Sequence, residues 1–188
     1  VGGYHYFASG TAVTAYIVDT GILYSHTQFG GRATFGIDTV GGVFPPGSDC
    51  HGHGTHVSGT VGGATYGVAK GVKLKAVRVL DCGGSGSWAG VIAGLDWVRA
   101  NAVKPAVVNM SLGGGFVLAA NIATNDLIEA GVTVAVAAGN SNDDACNYSP
   151  ASTLAAITVG ATGAWGNTAA PISDARAGFS NWGACLDL

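Results

Sequence analysis

Two rhythms of apolar and polar positions run along this chain. Thr11 to Asp19 (T-A-V-T-A-Y-I-V-D) is β-branched and apolar throughout and ends on a carboxylate, the pattern of a buried strand that delivers an acid at its C-terminal end. Ala33 to Ile37 reads as a short second strand. Val72 to Leu80, Ala106 to Met110, Val132 to Ala138 and Ala156 to Val159 read as further strands. Between them the period lengthens. From His53 the string H-G-T-H-V-S-G-T-V-G-G is helical with small residues, and Ser87 to Asn101 sets Val91, Ile92, Leu95 and Val98 on one helix face. Leu118 to Ala130 is a helix closed by Gly131. Pro45-Pro46-Gly47 marks a loop, Cys82 to Gly86 an exposed glycine-rich segment, and Phe179 to Leu188 a tail of loop and strand.

Strands alternating with helices predict an α/β fold of three layers, a mainly parallel sheet with helices on both faces. In such sheets chemistry gathers at the C-terminal strand ends. Asp19, Ser111 and Asn140 all fall there. No internal repeat or domain boundary breaks the pattern, so residues 1–188 read as a single domain. Val1 in place of an initiator Met and the stop at Leu188 predict that it is incomplete at both ends.

Composition narrows the function classes. Hydrophobic residues make up 48% and charged ones 10%, which excludes a disordered or charged interaction arm. The 32 glycines, set in so apolar a chain, point to tight turns and close backbone approaches rather than a flexible linker. A net charge of −3 with scattered Lys and Arg argues against a nucleic-acid partner. No apolar run is long enough to span a bilayer, so no membrane partner is expected. Four cysteines with few lysines suit a secreted, disulfide-bonded protein.

Candidate chemistry centres on Cys50-His51-Gly52-His53-Gly54-Thr55-His56, where three of the five histidines fall within six residues. A zinc cluster is one reading, since the string is similar to the H-x-H-x-D-H signature of binuclear hydrolases. Thr55 stands where that signature needs its aspartate, and no later histidine completes a second site. The other reading takes Asp19 of D-T-G as an acid, His53 as a base and Asn140 of A-A-G-N as an amide donor. Each has a plainer role when taken singly: a cap, a packed histidine, a turn residue. His5, His26 and His56 are expected to be structural.

Taken in order, D-T-G, H-G-T-H, S-L-G-G and A-A-G-N resemble the subtilisin-like serine proteases, over Thr11 to Leu188. The strings D-T-G-I-L-Y-S-H, Y-G-V-A-K-G-V, V-R-V-L-D-C, C-N-Y-S-P-A and F-S-N-W-G-A-C-L-D strengthen the resemblance towards the proteinase K branch and its bacterial, aqualysin-like enzymes. The resemblance implies a secreted, monomeric endopeptidase acting on proteins or peptides, made with an inhibitory propeptide. It implies that Asp19 orients His53, that His53 is the general base and that Asn140 shares the oxyanion hole. Gly84-Ser85-Gly86 and Ser111-Leu112-Gly113 become two edges that pair with an extended substrate backbone. Ala137, Ala138 and Gly139 line the primary specificity pocket. Disulfides Cys50–Cys82 and Cys146–Cys185 follow from the same resemblance, as does a structural calcium held by the carbonyls of Leu154 and Ala156 and the carboxylate of Asp187.

Two departures stand out. The family's nucleophile lies in a G-T-S-M-A segment, and the only methionine here is Met110 in N-M-S-L-G. Ser111 belongs to a substrate edge by the resemblance, so the sequence holds two triad members and is expected to be inactive alone. Val57 replaces the cysteine that some proteinase K relatives carry after this turn. A non-catalytic peptide-binding module of the same fold is the competing expectation, and a zinc hydrolase the third.

Overall fold

The computed structural model describes residues 6–43, 45–163 and 175–188. His5 lies outside them. The chain forms two compact units, residues 1–109 and 110–188.

The first unit is built on a parallel sheet of β1 (Thr14–Asp19), β2 (Ala33–Asp38), β3 (Lys73–Arg78) and β4 (Ala106–Met110), in the order β2-β3-β1-β4. β1 is buried at all six positions because β3 and β4 pair on its two sides, in registers Thr14↔Lys73 and Thr14↔Ala106. Its start is later than the apolar run predicts. Val13 N–H closes a turn onto Gly10 at 2.9 Å, and the ladder begins only after it.

The pleat sends alternate β1 side chains to opposite faces. Ala15 and Ile17 join Leu74, Ala76, Phe29 and Ile22 in a cluster on which Val57 and Val61 of α1 (His53–Gly62) pack. Tyr16 points the other way, edge-on to Trp97 of α2 (Trp88–Asn101), with ring centroids 6.5 Å apart. Ser87 caps α2 by accepting from Gly90 N at 3.1 Å. Val91, Leu95 and Val98 are buried as predicted, whereas Ile92 is only half-buried. Gly94 takes the fourth buried place, where a Cβ would meet Val79 at 2.7 Å.

The second unit holds α3 (Leu118–Glu129) and the parallel pair β6 (Thr133–Ala137) and β8 (Ile157–Val159), registered Ala135↔Ile157. Two short antiparallel ladders complete it, β5 (Gly114–Gly115) with β7 (Tyr148–Ser149) and β9 (Thr162–Gly163) with β10 (Ala175–Arg176). Gly131 closes α3 with φ +82°. Among residues 179–188 the strand expected in the tail is reduced to one bridge, Trp182 to Asp144. The segment also makes local turns, Ser180 N to Ala177 O at 2.9 Å and Leu186 N to Gly183 O at 3.1 Å, and Asp187 N and Leu188 N reach Thr158 O at 2.9 and 3.2 Å. Among the described residues no helix is long and apolar enough to cross a membrane.

Candidate active site

In the first unit, β1 ends on Asp19, fully buried, and α1 begins on His53, 41% exposed at its side chain. His53 Nδ1 lies 2.7 Å from Oδ1 and 2.9 Å from Oδ2 of Asp19. A carboxylate only accepts, so Nδ1 carries the hydrogen, and in the neutral ring Nε2 is the nitrogen that keeps a lone pair. Thr20 N–H also donates to Asp19 Oδ1 at 2.7 Å, fixing the acid from the backbone side.

Close approach of α1 to the strand end depends on two glycines. Gly52 stands before the helix with φ +102°, a conformation side chains resist. Gly54 N–H donates to Thr20 Oγ1 at 2.9 Å, and a Cβ at Gly54 would run into the carbonyl oxygen of Gly21. The motif D-T-G with H-G-T-H therefore describes one contact between a strand end and a helix start.

Asp49, which sequence reasoning missed, holds that start. Its Oδ1 accepts from His51 N (2.9 Å), Gly52 N (2.8 Å) and Thr20 Oγ1 (2.9 Å), and its Oδ2 from Thr55 N (2.9 Å) and Thr55 Oγ1 (2.6 Å). Burial alone would raise this carboxyl's pKa. The bonds from Thr55, Gly52 and His51 outweigh that and hold it below the usual carboxylate range. The only hint in the sequence is Asp49 standing three residues before Gly52, where an acid can serve the orphan N–H groups of a helix start.

Of the other histidines, His51 is exposed, its ring centroid 6.3 Å from that of His53. His26 accepts from Gln28 N at 3.2 Å, a structural role. It shares a cavity of about 550 Å³ with the exposed His56. Among the described residues no three His, Cys, Asp or Glu side chains are arranged to hold a metal. Val57 packs on the core.

Gly84-Ser85-Gly86 lies in a loop turned by Asp81, whose Oδ1 accepts from Gly83 N at 2.8 Å and Ser85 N at 3.0 Å. Gly84 (φ +77°) sits against His51, where a Cβ would be 3.1 Å from Nε2. Cys50 and Cys82 are joined, tying the histidine loop to this glycine loop.

In the second unit, Ser111, Leu112, Gly113, Ala137, Ala138, Gly139 and Asn140 all line one pocket of about 260 Å³. Gly139 turns the chain out of β6 with φ +105°, leaving Asn140 exposed at its rim. Cys146 and Cys185 are joined.

Of the residues expected to hold calcium, Asp187 bonds to β8 and the other two precede that strand. Leu154 and Ala156 are on the turn entering β8, and Asp187 meets Thr158, the middle residue of that strand. Asp187 Oδ2 accepts from Thr158 N at 2.8 Å, and Asp187 N donates to Thr158 O at 2.9 Å. A carboxylate and two backbone carbonyls would make a hard, all-oxygen donor set, the kind that suits calcium rather than zinc.

The profile of the subtilase family, peptidase S8, matches residues 10–188. The chain belongs to the subtilase family. Among subtilases, it is 61% identical to an extracellular serine proteinase of Thermus sp. (strain Rt41A), across all of this chain and 43% of that protein. Alkaline serine exoprotease A of Vibrio alginolyticus is 55% identical over 95% of this chain and 32% of its own length. The chain thus spans less than half the length of these relatives. The crystal structure of a cold adapted subtilisin-like serine proteinase matches with a TM-score of 0.91 at 50% identity, covering 98% of this chain and 64% of that one. The fold is therefore the mainly parallel α/β fold of subtilisin.

Proposed function

We propose that residues 1–188 form part of the catalytic domain of an extracellular serine endopeptidase. One observation carries the reading: His53 Nδ1 stands within 2.9 Å of both oxygens of a fully buried Asp19. In this reading Asp19 fixes the tautomer and orientation of the ring. His53 Nε2 takes the proton of a serine hydroxyl as its oxygen bonds to the peptide carbonyl carbon. The same nitrogen then gives that proton to the leaving amine. The serine belongs to a G-T-S-M-A segment encoded beyond Leu188.

Asn140 donates its side-chain amide to the oxyanion, alongside the backbone N–H of that serine. Losing one such donor costs about 10²–10³ in kcat, a magnitude that comes from subtilisin itself. Gly84 to Gly86 and Ser111 to Gly113 offer bare backbone to an extended substrate, and Ala137 to Gly139 wall the pocket for the residue before the scissile bond. Leu154, Ala156 and Asp187 hold a calcium ion whose role is structural.

The test is three variants of the full-length protein, His51→Ala, His53→Ala and His56→Ala, assayed on a denatured protein substrate. Only His53→Ala loses activity by orders of magnitude while staying folded, and residues 1–188 alone do not turn over substrate. Loss in His51→Ala instead would put the triad in the wrong register. Turnover by residues 1–188 alone would remove the argument for a serine beyond them.

A further inference from the structure

Asn181 is a fully buried amide with no place in the chemistry above. Its Nδ2 donates to Ala138 O at 2.9 Å, while its Oδ1 accepts from Ser141 N at 2.8 Å and from Asp143 N at 3.2 Å. Its own backbone N–H donates to Gly139 O at 2.9 Å. These four bonds fall on Ala138, Gly139, Ser141 and Asp143, on both sides of Asn140. Asn140 itself is exposed and receives none of them.

We propose that Asn181 is the positioning residue for Asn140, holding the turn that aims its amide at the oxyanion. The proposal rests on the oxyanion role given to Asn140 above. The side-chain identity is dictated by the partners. Two backbone N–H groups need an acceptor and a carbonyl needs a donor, and the two ends of one amide supply both. An aspartate would keep the acceptor and set a second oxygen against Ala138 O. A leucine would leave three backbone groups without the partner they have. The fit is also close, because a Cβ at Gly139 would run into Asn181 Nδ2.

The surrounding segment is fastened separately. Asn142 N donates to Phe179 O at 2.8 Å, Ala145 N to Trp182 O at 2.7 Å, and Trp182 N to Asp143 O at 3.0 Å, with Cys146–Cys185 beyond. Substitution at Asn181 therefore loosens the turn at Asn140 while the flanking contacts persist. Because Asn140 meets charge only as the tetrahedral intermediate forms, the loss falls on kcat and not on KM.

The experiment is a double-mutant cycle in the full-length protein: Asn181→Asp, Asn140→Ala and the pair, with Gly139→Ala as a second disturbance of the same contact. Values of kcat are expressed per reactive serine, titrated to completion with a fluorophosphonate, so that misfolded molecules do not count. Asn181→Asp is expected to lower kcat by about 10²-fold, the scale of a 1 Å misplacement, with KM changed far less. Gly139→Ala lowers it likewise, and the pair is no slower than Asn140→Ala alone. If Asn140→Ala is slow but Asn181→Asp and Gly139→Ala keep normal kcat, or the two losses multiply, the positioning role is wrong and the oxyanion role stands. If Asn140→Ala keeps normal kcat, both fall.

Discussion

Asp49 is the residue on which the geometry of His53 leans most heavily after Asp19. Five hydrogen bonds converge on its carboxylate, two of them through Thr55 in the first turn of α1. Asp38 is in a similar position. Burial would raise its pKa, but the N–H groups of Gly41, Gly47 and Val40 and the Arg78 side chain bring it below the usual range. A carboxyl depressed in the folded state adds stability that is complete above its unfolded pKa, about 4, and is lost as pH falls towards the folded value. Urea denaturation of the full-length protein from pH 6 to pH 3 is therefore expected to show a loss confined to the region below about pH 4. The loss should be smaller in Asp49→Asn, which has no carboxyl to protonate at that site. An equal acid-side loss in that variant would show that Asp49 contributes nothing to it.

Why Asp49 and Asn181 escaped the sequence is physical. Asp19 and His53 each sit at the boundary of a periodic element, where pattern draws attention. Asp49 and Asn181 lie in irregular backbone, and their roles depend on hydrogen bonds to N–H groups that only the folded loops bring together.

Among the elements, β3 carries a surprise at its end. Arg78 is 1% exposed and its Nη1 bonds to both oxygens of Asp38, at 3.1 and 3.0 Å, and to Gly41 O at 2.8 Å. Its Nη2 lies 3.7 and 3.9 Å from the sulfurs of Cys50 and Cys82. The ends of β2 and β3 are thus pinned to the disulfide beside the histidine loop. Arg78→Ala removes one partner of a buried pair and is expected to cost about 3–5 kcal/mol, nearer the lower value because three backbone N–H groups still hold Asp38. Equilibrium denaturation of the full-length variant measures it, and a cost under about 1 kcal/mol would mean the pair is dispensable.

The elements themselves were legible where one periodicity ruled. β1, α2 and α3 follow from apolar spacing to within a few residues, since burial on the sheet is what that spacing records. The ladders β5–β7 and β9–β10 are two residues long and carry no period at all. Nothing local in V-R-V-L-D-C reveals that Asp38, forty positions earlier, arrives beside Arg78.

For the whole molecule, the proposed calcium site is the feature that reaches furthest from the chemistry. The account expects calcium to raise the melting temperature of the full-length protein, and Asp187→Ala to abolish that rise at the Leu154–Ala156 turn. An equal rise with and without Asp187 would assign the effect to another site. The proposed carbonyl ligands could be named only through the family resemblance, since carbonyls leave no mark on residue type.

The central claim is that Asp19 and His53 activate a serine that lies beyond residue 188. Labelling the full-length protein with a fluorophosphonate, followed by peptide mapping, tests it most directly. The account predicts one adduct, on a serine beyond Leu188, formed at a rate that collapses in His53→Ala. An adduct on Ser111, or labelling that His53→Ala leaves unchanged, would contradict it.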